Sequence, residues 1–161
     1  MDELAPVIAR VAFVGVMVIG GSIFAFSTFI MAALKQLPDQ EGIRAMQQIN
    51  ESVFTPWFMA PFFGTAALSL VAVVIATSNT DQRWWLSLLG AGALYFLGLF
   101  VVTAAGNVPL NNKLASVEAT DPIAHEVWRR YLIEWTRWNH LRTFASIGSA
   151  LLFVESLRLM G

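Results

Sequence analysis

An all-α integral membrane protein is the fold class this sequence predicts: a four-helix bundle with short interfacial helices in its connections. Three observations carry that reading. Hydrophobic residues make up 57% of the 161 residues and charged ones only 13%, more apolar surface than a soluble domain of this length can bury. The apolar residues gather into four runs, each long enough to cross roughly 30 Å of hydrocarbon at about 1.5 Å per residue. None of the runs alternates polar with apolar, as the strands of a membrane barrel must. Residues 1–161 are expected to form one domain.

The first span is expected over about Val7–Leu34. It follows an acidic start, Met1-Asp2-Glu3, whereas a cleavable signal peptide wants a basic region and a small-residue cleavage site. The first run is therefore expected to be retained. Its Gly21 and Ala25 form a small-xxx-small pair that lets helix backbones approach closely. Pro38-Asp39 opens the next connection, where Asp39 is expected to cap a short helix reaching about Ser52. Ile43, Met46, Ile49 and Val53 mark its apolar stripe, so it should lie on the membrane surface or fold back on the bundle.

The second span is expected over about Thr55–Thr77. Ser78–Gln82 is short and forces an antiparallel hairpin with the third span, about Trp84–Gly106. Pro109 lacks a backbone donor and is expected to kink or end that helix. Asp121-Pro122 reads as a helix start. No breaker separates it from the fourth span, about Trp138–Leu159, so one helix is expected to run through both. Ala145 with Ser149, and Ser146 with Ala150, repeat the small-residue spacing. Trp57, Trp84, Trp85 and Trp138 lie near span ends, where aromatic belts form. Lys35, Arg44, Lys113, Arg129, Arg130, Arg137 and Arg142 outweigh Arg10, Arg83 and Arg158. The excess of positive charge would place the longer connections in the cytoplasm and both termini outside, in the plasma (inner) membrane.

Several classes of chemistry lose support. A formal charge of -1 gives none for nucleic-acid binding. The absence of cysteine removes disulfides, thiolate nucleophiles and iron–sulfur ligation. His125 and His140 are the only histidines, and Glu155 is the one acid deep in a span, so no metal site is expected. Phosphate loops, dinucleotide fingerprints and nucleophile elbows are missing.

Two polar tracts at the mouths of spans remain. In Trp135-Thr136-Arg137-Trp138-Asn139-His140-Leu141-Arg142-Thr143, a turn of about 100° per residue puts Trp135, Trp138, Asn139 and Arg142 in one sector. Thr136, His140 and Thr143 occupy another. Arg142 beside tryptophan faces suits a cation–π contact; equally, it can snorkel to lipid phosphates. His140 and Arg142 leave the helix on nearly opposite sides, so one lines the site while the other meets a neighbouring helix or the head groups. In Gly106-Asn107-Val108-Pro109-Leu110-Asn111-Asn112, Asn107 and Asn111 are four apart. They either satisfy carbonyls freed by Pro109 or offer amides to a ligand. Asn50, near the apolar stripe of the first connecting helix, either joins them or is an ordinary surface residue, and the latter is favoured.

Together with Ala45-Met46-Gln47-Gln48-Ile49-Asn50 and the following Phe54-Thr55-Pro56, these two tracts resemble the anthrone oxygenase family, also called DUF1772. The resemblance covers nearly the whole chain. It implies a small four-helix membrane protein, some members of the family being assigned to oxidising anthrones to anthraquinones. On that chemistry a base must remove a proton from the anthrone methylene, donors must hold the enolate oxygen, and the slot must be flat and apolar. His140 would be the base. Asn107, Asn111, Asn139 or Arg142 would hold the oxygen, and Trp135 and Trp138 would wall the slot. No cofactor is required by this reading. A non-catalytic bundle that binds a lipid, a quinone or a partner protein stays open, as does a haem or copper redox protein using His140. The expected partners are the lipid bilayer and a small lipophilic aromatic, with oligomerisation left open.

Overall fold

The computed structural model describes residues 4–161; the acidic Met1-Asp2-Glu3 start lies outside the described residues. In chain order the helices are α1 (Leu4–Leu34), α2 (Asp39–Ser52), α3 (Pro56–Thr77), α4 (Trp85–Ala115) and α5 (Ala124–Met160). All but α2 are long and apolar enough to cross a membrane. The protein is therefore an all-α membrane bundle of four spans, as the composition predicts. α1 and α4 each pack against both α3 and α5.

Lipid tails are as apolar as leucine, so helices in a bilayer gain by close fit more than by leaving solvent. α1 buries Ala5, Ala9, Ala12, Val16, Ile19 and Ile23, a stripe of mostly small residues every three or four positions. Glycines set the closest approaches. A methyl at Gly15 would strike the Thr65 side chain, one at Gly20 would strike Ser146, and one at Gly98 would strike Ala145. Gly21 is not among them, for nothing lies within 4 Å of the position its Cβ would take. The contact face of α1 runs one residue earlier, through Gly20. The fourth-span pairs do pack, and Ser149 Oγ donates to Ala91 O at 2.8 Å.

A further fit, made against backbone, yields a stability prediction. A side chain at Gly92 would collide with the Ser69 carbonyl oxygen, which is backbone and cannot rotate away. Gly92→Val should cost about 1–3 kcal/mol or more, as overpacking does. Gly21→Val should stay within about 0.5 kcal/mol. Thermal unfolding in detergent compares them, and equal melting temperatures would show that α3 and α4 are free to part.

Two helices depart from regular winding. α1 contains a π-helical turn at Phe26–Ile30, and α4 contains two, at Leu94–Val101 and Thr103–Asn107. The last one lies just ahead of Pro109, and the third helix does not end there. The Val108 N–H reaches back to Thr103 O across the widened turn, and α4 continues through Pro109 to Ala115. The extra residue in the turn makes room for the proline ring. α5 runs unbroken for 37 residues and joins the last connection to the fourth span, as the lack of breakers predicts.

Beyond the spans, Met31, Leu34, Ile43, Met46, Leu114 and the α5 aromatics Trp128, Tyr131 and Trp135 form a second core. It folds α2 back onto the bundle. Gln47 Nε2 donates to Leu114 O at 2.9 Å and to Val117 O at 3.0 Å. Asp39 does not cap α2. It is the first helical residue, and its carboxylate meets His125 Nδ1 on α5 at 2.7 Å.

Candidate functional site

The two cores leave between them a cavity of about 780 Å³, lined by all five helices. That lies within the roughly 300–1,000 Å³ typical of small-molecule sites. Phe26, Phe58, Phe62, Phe63 and Phe100 wall it. Phe62 and Phe63 meet edge to face, their centroids 5.3 Å apart, and Phe100 lies 5.3 Å from Phe62 and 5.7 Å from Phe63. Such rings offer flat faces to an aromatic guest. Glu51, Asn112 and Glu118 line its outer, polar end.

Arg142 stands at the inner polar end. α5 buries Trp128, Tyr131, Trp135, Asn139, Arg142 and Ser146 as one stripe, because steps of three and four residues keep a single helix face. This stripe carries Arg142 inward until only 5% of it is exposed. Its Nη1 donates to Thr103 Oγ1 at 3.1 Å and its Nη2 to Asn139 Oδ1 at 2.6 Å. The guanidinium carbon sits 5.2 Å from the centroid of the Trp135 ring. Nε is buried without a partner. The ion pairs among the described residues are His125–Asp39, Arg130–Glu134 and Arg158–Glu155. Arg142 is in none of them. A desolvated cation with neutral neighbours is costly, and buried charges are ordinarily paired. The guanidinium thus has no carboxylate partner among the described residues.

The groups around the guanidinium are themselves anchored. Asn139 is fully buried, and its Nδ2 donates to Ile23 O at 2.8 Å and to Ser27 Oγ at 2.7 Å. That amide is spent on holding Arg142 against α1. Thr103 passes its own proton to Leu99 O at 2.7 Å, which leaves its oxygen to accept from Arg142. Asn107 Nδ2 donates to Trp135 O at 3.2 Å, while its Oδ1 is buried and unpartnered. Asn111 Oδ1 accepts from Tyr131 Oη and from Trp135 Nε1, both at 2.8 Å. Ser27, Thr103 and Asn107 all sit in π-helical turns, a feature that often marks functional positions.

The structure brings together Asn107, Asn111, Trp135, Asn139 and Arg142, joining the two tracts of the sequence. It does not bring in His140, which is exposed on the outer face of α5 and lines no part of the cavity. A haem ligated by His140 would likewise lie outside. Trp138 is 43% exposed and covers Gly106 from outside the cavity. Asn50 reads as a surface residue in the sequence, yet it lines the cavity and approaches Tyr131 Oη at 3.5 Å. Thr103, Ser27, Tyr131 and the phenylalanine wall escape the sequence reading. Thr103, Asn107 and Asn111 do recur every four residues, which is a readable signal. Ser27 has none, since its direction depends on the π-helical turn. Among the described residues no three His, Asp or Glu side chains cluster as a metal site would need.

A four-span bundle enclosing an aromatic-walled cavity, with an arginine that has no carboxylate partner among the described residues, defines a membrane protein with an interior polar site. Residues 54–152 match the family described as anthrone oxygenase, and the chain belongs to that family. The match takes in α3, α4 and most of α5, and so Thr103, Asn107, Asn111, Trp135, Asn139 and Arg142. No curated protein and no solved structure matches the chain.

Proposed function

We propose that the cavity binds a lipophilic aromatic ketone of the anthrone type and that the protein catalyses its oxidation by O₂. The observation that carries this reading is Arg142, a buried guanidinium with no carboxylate partner at the end of an aromatic-walled cavity. An anthrone supplies what such a site lacks. Loss of a proton from its methylene carbon gives an aromatic enolate whose charge sits largely on oxygen. Arg142 donates to that oxygen, fixed in place by Asn139 and Thr103. Preorganised donors of this kind stabilise the developing anion without reorganising. The enolate gives an electron to O₂, and recombination at the same carbon forms a hydroperoxide. Loss of water leaves the second carbonyl, so anthrone and O₂ give anthraquinone and water.

The base role that residue chemistry assigns to His140 does not suit an outward-facing side chain. Glu51 and Glu118 are the carboxylates that line the cavity, at its polar end, and they take the role of proton acceptor in this scheme. The purified protein in detergent should consume O₂ in equimolar amount with 9-anthrone, above the spontaneous rate. His140→Ala should keep that activity. Tight binding of anthrone with no added O₂ uptake would make the protein a carrier, and loss of turnover in His140→Ala would restore the histidine as base.

A further inference from the structure

The exposed lining of the cavity falls into two chemically different groups. Glu51, Asn112 and Glu118 form the polar one. In the apolar one Phe54, Phe63 and Val108 are 74%, 55% and 40% exposed, and Ala104 is exposed as well. A residue that lines a cavity and also faces outward frames an opening. These four lie on the approach to α3, on its early turns and on the later turns of α4. Both helices are long and apolar enough to cross a membrane, which places this apolar flank next to lipid in the reading that follows.

Helix packing accounts for the opening. α3 and α4 are pressed together near their hairpin loop, where Gly92 meets Ser69. Contact between them continues into Leu94–Val101 and falls away along Thr103–Asn107. The Phe62, Phe63 and Phe100 rings bridge the two helices at the point of divergence and form the sill of the gap. Above the sill α4 presents Ala104, the smallest side chain available for that position short of glycine. Thr103, Arg142's partner, is its neighbour in sequence.

We propose that the guest reaches the site sideways from the bilayer, through this window between α3 and α4, and that the carboxylate-lined edge serves water and protons. The proposal rests on the reading of the site as one for a lipophilic aromatic. Such a compound is concentrated in the hydrocarbon and depleted in water. Along α3 and α4 it meets the apolar side chains of Phe63, Val108 and Ala104 on its way to Thr103 and the arginine. Through the other edge it would first leave the membrane and then pass two carboxylates.

The test uses the full chain in phospholipid vesicles, with 9,10-anthraquinone dissolved in the lipid and its arrival read as the change in absorbance of the quinone on binding. Ala104→Trp fills the window from the lipid side, and Asn112→Trp crowds the polar edge. Ala104→Trp should slow association about tenfold or more, as obstructed sites do, with little change at equilibrium. Asn112→Trp should leave the rate unchanged. Equal rates in all three proteins, or slowing by Asn112→Trp alone, would overturn the window. A second arm needs no aromatic guest. The chain has no cysteine, so Ala104→Cys and Asn112→Cys each carry a single thiol. A sulfonated methanethiosulfonate in water should label the Asn112→Cys thiol and spare Ala104→Cys, while lipid-soluble N-phenylmaleimide should reach the latter. Equal labelling of both from water would also overturn the window. If the unaltered protein takes up no quinone, the oxygenase reading fails, and the labelling still decides whether this flank opens to lipid.

Discussion

Arg142→Met is expected to lower anthrone-dependent O₂ uptake by about 10²–10³-fold, the loss that follows removal of one preorganised oxyanion donor, while leaving the fold as stable as before. The two halves of this expectation come from the same observation. The guanidinium is desolvated, has no carboxylate partner among the described residues and leaves Nε unpartnered. Placing an arginine in a membrane span costs about 2.5–3.5 kcal/mol on insertion scales. Methionine removes that cost and fills similar space. It also strands Asn139 Oδ1 and Thr103 Oγ1, and an unsatisfied buried acceptor costs about 1–3 kcal/mol. The two effects oppose each other and are of similar size. A structural arginine behaves differently: its loss lowers stability and activity together. Steady-state O₂ uptake and thermal unfolding in detergent separate the cases, and a large drop in melting temperature would mean that Arg142 holds the bundle rather than the guest. Arg142→Lys keeps the charge but cannot span Thr103 and Asn139 together, so it should recover only part of the activity.

The spans are legible because hydrophobic length is a one-dimensional property. Twenty-odd apolar residues between polar ends can do little else than cross a bilayer, and loops as short as Ser78–Gln82 fix the pairing of neighbours. Details that depend on winding are not legible in the same way. Gly20 rather than Gly21 faces α5, and one residue of helical phase decides between them. Pro109 reads as a stop because a proline breaks a regular α-helix. The widened turn ahead of it is set by packing between helices, and no residue type in Thr103–Asn107 announces it.

The same distinction divides the site. Polar side chains at the mouths of apolar spans stand out in the sequence, which is why Asn107, Asn111, Trp135, Asn139 and Arg142 can be named as candidates. A helical wheel further separates His140 from Arg142, though it cannot say which of the two points inward. That depends on which face of α5 meets α1, and the Ser146 contact with Gly20 and the Asn139 bonds to Ile23 and Ser27 settle it in favour of Arg142. Trp138 shares a sector with Arg142 on the wheel, yet it lies at the edge of the buried stripe and turns outward. The phenylalanine wall is invisible for a different reason. In a membrane protein phenylalanines occur on lipid-facing and interior surfaces alike, so composition does not mark those that line a cavity.

Asn139→Asp tests whether the charge of Arg142 is what the guest uses. In the native site the Asn139 carbonyl oxygen accepts from Arg142 Nη2 at 2.6 Å, and the arginine keeps its full positive charge toward the cavity. An aspartate at this position would place a carboxylate on the same guanidinium and supply internally the anion that the site lacks. The side chain is the same size, so the cavity keeps its shape. Stability should change little, because a new buried ion pair offsets the amide donors lost toward Ile23 O and Ser27 Oγ. Ser27 can turn its hydroxyl to the carboxylate. Activity should fall about 10²-fold or more, since the enolate now competes with a covalently tethered anion for one cation. Binding of an anionic phenolate should weaken with it, while a neutral quinone, which needs only a hydrogen-bond donor, should bind nearly as before. Asn139→Ala makes the useful contrast. It removes the support without neutralising the charge, so it should cost about 1–3 kcal/mol of stability through the groups left unpaired and loosen the preference for anions only in part. Full turnover in Asn139→Asp, or equal weakening of phenolate and quinone, would show that the guest is recognised by shape and that the charge of Arg142 plays no part in holding it.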